Sequence, residues 1–320
     1  MFDINYLLML QNFRNSIHDF LTPLMEGVSL FSITMLVMLP VFIYWVVDKK
    51  KGLFTLASFF FCRGINALIK LTVCAYRPWI RDSRIIPAGD AISTATGYSF
   101  PSGHTISGGT LYGGLALNMW QYSKAFSFAS LFMILLTGFS RNYLGVHTPQ
   151  DVFVGILESF VVLYIVSKIF EYVLFNPESE KMFLIASFVF GWLGLTYITF
   201  KPYPMDYDAL GNLLVDPQKM MRDGYGDLCS FIAFPVARFI ERKWIRFKPI
   251  GLTKIGVLAG CIGLVPLYFM ITHMKGFLRT ALGGNWGNFT FNFITILYCI
   301  ALYPLIMKIV FAFVPKRGRS

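Results

Sequence analysis

At 320 residues, with 56% hydrophobic and 17% aromatic side chains and a mean hydropathy of +0.60, the chain carries far more apolar surface than a soluble domain can bury. That excludes a water-soluble globular protein and points to one that crosses a membrane several times. The formal charge of +11 therefore indicates no nucleic-acid partner; what matters is which loops hold the lysines and arginines. The five cysteines, Cys62, Cys74, Cys229, Cys261 and Cys299, lie in or beside apolar runs without CxxC or metal-ligand spacing and read as small apolar residues.

In chain order, residues 1–27 mix apolar side chains with Arg14, His18, Asp19 and Glu26. The segment is too polar to span and lacks a cationic start followed by a small-residue cleavage site, so it reads as an interfacial amphipathic helix. Apolar runs of bilayer length follow at about 29–48, 53–76, 104–121, 125–141, 149–172, 181–200, 226–241, 252–273 and 288–313, judged against the roughly 20 residues a helix needs to cross. The expected fold is an all-α polytopic bundle of about nine transmembrane helices. The seventh run is short and interrupted by Pro235. If the loop at 48–52 faces the cytoplasm, fourteen of the 28 basic residues gather on that side, among them Lys49, Lys50, Lys51, Lys124, Arg242, Lys243, Lys316, Arg317 and Arg319. The positive-inside rule then puts the N-terminus outside and the C-terminus inside.

Three polar blocks sit at the ends of these runs: KLTVCAYRP at 70–78, SFPSGHT at 99–105 and SRNYLGVHTPQD at 140–151. Under the same topology all three reach the outer face. Lys70 and Arg77 are seven apart, so a continuous helix would place them on one side about 10 Å apart. Pro78 turns Arg77 out of helical conformation and into the mouth of the site. Arg141 brings a third cation, and three cations around one point repel unless an anion lies among them. Phosphate fits: arginine offers paired donors and lysine a point charge, while Ser102, the Gly103 amide and a helix N-terminus add hydrogen bonds and a favourable dipole. His147 and Asp151 are four apart at the start of the fifth run, so the carboxylate can hold one ring nitrogen and free the other as a nucleophile. Thr148, Pro149 and Asp151 also have the pattern of a helix N-terminus, which is compatible with that role. His104, from another span, could protonate a leaving oxygen.

Lysine, six residues, Arg-Pro; then Pro-Ser-Gly-His; then Ser-Arg, five residues, His, three residues, Asp: this set resembles the three-block signature of the type 2 phosphatidic acid phosphatase superfamily, which includes lipid phosphate phosphatases, glucose 6-phosphatases and vanadium haloperoxidases. The resemblance covers about 80 residues. It implies that Lys70, Arg77 and Arg141 bind phosphate with Ser102 and Gly103, that His147 forms a phosphohistidine oriented by Asp151, and that His104 acts as acid and then as base for water. No metal or other cofactor is implied. The family's six-helix core would fall in residues 28–200, leaving 201–320 as an outer loop plus about three additional spans.

The expected activity is hydrolysis of a phosphomonoester or diphosphate at the extracytoplasmic face, in periplasm, cell exterior or organelle lumen. The substrate is expected to be a lipid phosphate drawn from the bilayer; a soluble sugar phosphate is the second reading. A phosphotransferase with a non-water acceptor and a phosphate-binding transport component are the other classes. Oligomeric state is not legible. Two further expectations concern structure. Arg63 and Glu158, each seven residues inward of a site residue, could pair and clamp their helices, or each find a separate partner. The polar stretch 201–227, with Tyr203, Asp206, Asp223, Tyr225 and Asp227, reads as a solvated outer loop or a lid. Gly109 and Gly113 form a small-xxx-small pair suited to helix packing.

Overall fold

The computed structural model describes residues 2–312; their regular structure is helical, joined by turns and loops, with a single isolated β-bridge between Tyr207 and Leu213. Helix α1 (Phe2–Ser16) is followed by α2 (Thr22–Val47), α3 (Lys49–Val73), α4 (Gly103–Met119), α5 (Lys124–Tyr143), α6 (Pro149–Phe175) and α7 (Ser179–Phe200). Then come α8 (Pro217–Leu228), α9 (Ser230–Ile240), α10 (Lys254–Leu282) and α11 (Gly284–Ala312). Lys316, Arg317 and Arg319, and with them the C-terminal side of the charge argument, lie outside the described residues.

Six of these helices are long and apolar enough to cross a membrane: α2, α3 continued through Arg81, α6, α7, α10 and α11. The chain is therefore a multi-pass membrane protein, but the expected count of nine spans is not confirmed. The physical reasons are local. Helix α4 has only 17 residues. Helix α5 dilutes its apolar run with Lys124, Arg141 and Asn142, and the α8 to α9 segment carries Arg222, Asp223 and Asp227. Helix α2 also takes in residues 22–27, which the sequence leaves in the interfacial segment, because Pro23 sits in its first turn, where its missing N–H costs nothing.

Helix α4 is the axis of the N-terminal bundle, packed against α2, α3, α5 and α6. Its glycines make this possible. A Cβ on Gly109 would lie 2.3 Å from Ser159 Oγ of α6, and one on Gly113 would lie 2.6 Å from Leu163, so the pair serves close α4–α6 packing. The C-terminal helices are joined to the bundle through polar contacts buried in apolar surroundings. Trp45 Nε1 donates to the Cys299 carbonyl (2.7 Å) and Tyr44 Oη to the Ile300 carbonyl (3.0 Å), both within a π-helical turn at Tyr298–Leu302. Helix α7 lies mainly against α8 and α9. At the end where α3 begins, the fully buried Glu241 accepts from Lys49 (2.5 Å) and Arg238 (2.6 Å), and Glu180 accepts from Arg238 (2.7 Å).

The stretch 201–227 is not one loop. After a turn region tied down by Tyr76 donating to Asp206 and Tyr203 Oη donating to the Ile198 carbonyl (2.7 Å), the chain enters α8 at Pro217. Asp223, Tyr225 and Asp227 therefore stand on a helix inside the bundle. Gly224 and Gly226 let α8 come close to Leu71 of α3 and Asn292 of α11. The Arg63–Glu158 pair does not form. Arg63 binds Asp227 through Nε (2.9 Å) and Nη2 (2.5 Å), while Glu158 accepts from Asn66 Nδ2 (3.1 Å) and the Cys62 thiol (3.7 Å), so each acquires its own partner.

Candidate active site

The chain runs along α3 and α5 toward one end of the bundle and leaves that end along α4 and α6, so the three polar blocks meet there. Helix α3 stops at Val73, where Cys74 takes a left-handed conformation (φ 52°) and its N–H caps onto the Lys70 carbonyl. Lys70 and Arg77 are thus not two turns apart on one helix, as the spacing predicts. They approach the site from a helix end and from the extended residue before Pro78.

Lys70 holds the second block. Its ammonium donates to the carbonyls of Tyr98 (3.2 Å), Ser99 (3.3 Å) and Pro101 (2.6 Å), using all three protons to pin the turn that precedes α4. Arg77 ties the first block to the third and to the turn before the second: Nε donates to the Gly97 carbonyl (3.0 Å), and Nη1 to the Val146 carbonyl (2.9 Å) and His147 Nε2 (2.7 Å). Ser102 caps α4, its hydroxyl accepting from Thr105 N (3.4 Å) and Thr105 Oγ1 (2.9 Å), which still leaves its own proton to donate. Arg141, 1% exposed, donates from Nη1 to Ser29 Oγ (2.6 Å), while its Nε and Nη2 have no partner among the described residues.

His147 lies in the connection between α5 and α6 and is 1% exposed. A guanidinium can only donate, so Nε2, facing Arg77, carries the lone pair and Nδ1 carries the proton. Nδ1 faces Asp151 Oδ2 at 3.3 Å. That same oxygen accepts from Ser99 Oγ (2.5 Å) and Thr148 N (2.7 Å), and Asp151 N donates to Thr148 Oγ1 (3.3 Å). Asp151 thus closes a capping box on α6 while orienting the imidazole. Burial, then the Arg77 guanidinium, hold His147 well below the usual histidine range, against the opposing pull of Asp151. The ring is accordingly neutral at pH 7, with its lone pair on the nitrogen that accepts from Arg77. His104, in the first turn of α4, is buried and its Nε2 has no partner among the described residues.

Lys70, Arg77, Gly103, His104 and His147 line one cavity of about 440 Å³; Ser102, Arg141 and Asp151 stand behind that surface. Sequence reasoning gave no role to three residues that complete the arrangement. Ser99 is hydrogen-bonded to Asp151 and lies 3.4 Å from His147 Nδ1, Asn142 Nδ2 donates to the His147 carbonyl (2.9 Å), and Ser29 holds Arg141. Ser99 begins the second polar block and Asn142 lies within the third, a signal that could have found them; Ser29 lies on a distant apolar run and gave none. Among the described residues, no group of three or more His, Cys, Asp or Glu side chains has the arrangement of a metal site.

Residues 51–174 match the family model of the PAP2 superfamily, a segment running from the first turn of α3 to the last turn of α6 that contains every residue of the three blocks. No curated protein and no solved structure matches the chain.

Proposed function

We propose that this multi-pass membrane protein, whose residues 51–174 are a PAP2-superfamily segment consistent with a type 2 phosphatidic acid phosphatase, hydrolyses a phosphomonoester or diphosphate through a phosphohistidine on His147. One observation carries the reading: Arg77 sits 2.7 Å from His147 Nε2 while Asp151 faces the other ring nitrogen, which couples an anion-binding group to a nucleophile of fixed tautomer.

In the proposed reaction, phosphate displaces Arg77 from Nε2 and is held by Arg77 and Arg141, with the Ser102 hydroxyl and the Gly103 amide, while Lys70 attracts it by charge and keeps its protons on the turn before α4. Nε2 attacks phosphorus, the bond from phosphorus to the leaving oxygen breaks, and His104 gives that oxygen a proton. Asp151 stabilises the positive charge on His147, as a buried carboxylate does for a catalytic imidazole. Water then attacks the phosphohistidine, His104 takes its proton, and inorganic phosphate leaves with Nε2 restored. The three cations offset the charge of the transferred group, so the proposal requires no metal.

The substrate class we propose is a lipid phosphate, because the site cavity continues between apolar helices. By the distribution of lysine and arginine the site faces the extracytoplasmic side. The test is phosphate release by the purified protein, in the presence of chelator, from phosphatidic acid, sphingosine phosphate, isoprenyl diphosphate and glucose 6-phosphate, beside the His147→Ala variant. Chelator-resistant release from an amphiphile, absent in the variant, supports the reading. Release confined to glucose 6-phosphate sinks the lipid assignment, and silence in folded protein favours transfer to an acceptor other than water.

A further inference from the structure

The cavity that opens at the phosphate site does not end there. It passes between α2 and α3 on one side and α8, α10 and α11 on the other, so the C-terminal helices beyond the matched segment form half its wall. Its lining changes with depth. At the level of Lys70 the wall is cationic and carries the two histidines. Seven residues back along α3, about 10 Å further in at 1.5 Å per residue, Arg63 and Asp227 face Asp223, Lys275, Asn288 and Asn292. Beyond them the wall is apolar, formed by Val41, Phe60, Leu267, Ile296 and Cys299, all buried.

Most groups of the polar belt are already committed to one another. Arg63 holds Asp227, and Arg279 donates to Asp223 (3.1 Å) and Asn288 (2.5 Å). Lys275 is different: it lines the cavity, and its ammonium makes no hydrogen bond or ion pair among the described residues. Asn292 uses its amide nitrogen on the Asn288 carbonyl, and its side-chain oxygen has no hydrogen-bond partner among the described residues. A polar belt of this kind between a phosphate site and an apolar end matches an amphiphile with three parts. The free ammonium selects oxygen acceptors, such as a hydroxyl or an ester carbonyl. A volume of about 440 Å³ is at the lower end of the roughly 300–1,000 Å³ of ligand sites, which suits one chain rather than two.

Resting on the hydrolase reading above, we infer that α8, α10 and α11 complete a buried substrate site for a single-chain phosphorylated lipid with an oxygen-bearing linker. Lys275 and Asn292 receive the linker, and the pocket around Ile296 and Cys299 takes the chain.

The experiment uses the full chain in detergent with four probes: palmitoyl-glycerol phosphate, hexadecyl phosphate, octyl phosphate and glucose 6-phosphate. Phosphate release and thermal stabilisation by each probe are both read. The site predicts that kcat/KM favours the glycerol probe over hexadecyl phosphate, and hexadecyl over octyl phosphate. Lys275→Met lowers the first ratio about tenfold, the scale of one charge-assisted hydrogen bond. Ile296→Trp, by filling the apolar end, collapses the second ratio toward unity. Asn292→Leu and Cys299→Phe replace either variant if it does not fold. Unchanged ratios in folded variants overturn the inference while leaving the hydrolase reading intact, as does a preference for glucose 6-phosphate that Ile296→Trp does not alter. Chain-dependent stabilisation without any phosphate release keeps the lipid site and removes the hydrolase reading. Neither stabilisation nor release overturns both.

Discussion

Asp151 Oδ2 is shared by Ser99 Oγ at 2.5 Å, Thr148 N at 2.7 Å and His147 Nδ1 at 3.3 Å, so the carboxylate that faces His147 also builds the first turn of α6. The two roles are separable by isosteric substitution. Asparagine at this third helical position keeps one oxygen that can accept from Thr148 N and Ser99 Oγ, but it is neutral and presents both a donor and an acceptor. Asp151→Asn should therefore lose about 1–2 kcal/mol of stability at most and lower kcat by roughly 100- to 10,000-fold through loss of the Nδ1-protonated tautomer and of imidazolium stabilisation. Thermal unfolding and steady-state kinetics, measured together, check it; a stable variant with unchanged kcat would remove Asp151 from the mechanism.

Burial and Arg77 depress the His147 pKa, which gives the pH dependence its sign. The nucleophile must be unprotonated, and its folded pKa lies below that of an ordinary histidine. The acid limb of kcat/KM that belongs to His147 should thus fall below about pH 6.5, after correction for the substrate's own ionisation. Folding stability follows the same sign: it is fully present above the unfolded pKa of about 6.5 and declines as pH falls through that value, because the unfolded chain then takes up a proton that the folded one does not. A pH profile with its acid inflection at or above 6.5 would contradict the neutral, buried imidazole.

Arg63 and Asp227 tie α3 to α8 midway along the wall of the cavity. Arg63→Met alone should cost about 1–3 kcal/mol, between the limits for exposed and buried pairs, because the two side chains are part-buried (35% and 23% exposed). Adding Asp227→Leu should recover most of the loss, since replacing both partners by apolar groups is often near neutral. Glu158→Gln should be mild by comparison, because its one carbonyl oxygen can still accept from Asn66 and only the weaker bond from the Cys62 thiol, made to the other carboxylate oxygen, is lost. Unfolding midpoints of the single and double variants decide it, and a double variant no more stable than Arg63→Met would exclude direct pairing.

Much of the candidate site's composition was legible in the sequence for a definite reason. Its groups lie in three short blocks, each at a helix terminus, where residue type and spacing determine what a side chain can reach. Pro78, Ser102 and Thr148 announce the turns that aim Arg77, His104 and His147. What remained hidden depends on packing between distant segments. Helical rise brings Glu158 to the depth of Arg63, and only the fold of α8 against α3 makes Asp227 its partner instead. Helix α8 itself reads as loop because Arg222, Asp223, Gly224, Gly226 and Asp227 are poor membrane residues; they are helical because they face a polar cavity and close neighbours. The break after Val73 was missed since a left-handed cysteine has no sequence signature of the kind glycine gives.

The central claim is that His147 carries the phosphoryl group, and rapid-quench trapping of the enzyme with phosphorus-labelled substrate tests it most directly. The account predicts a base-stable, acid-labile label on the peptide that contains His147, formed and lost during turnover, accumulating in His104→Ala as water attack slows, and absent from His147→Ala. Undiminished phosphate release by folded His147→Ala, or turnover with no labelled enzyme in either His104→Ala or the unaltered chain, would contradict it.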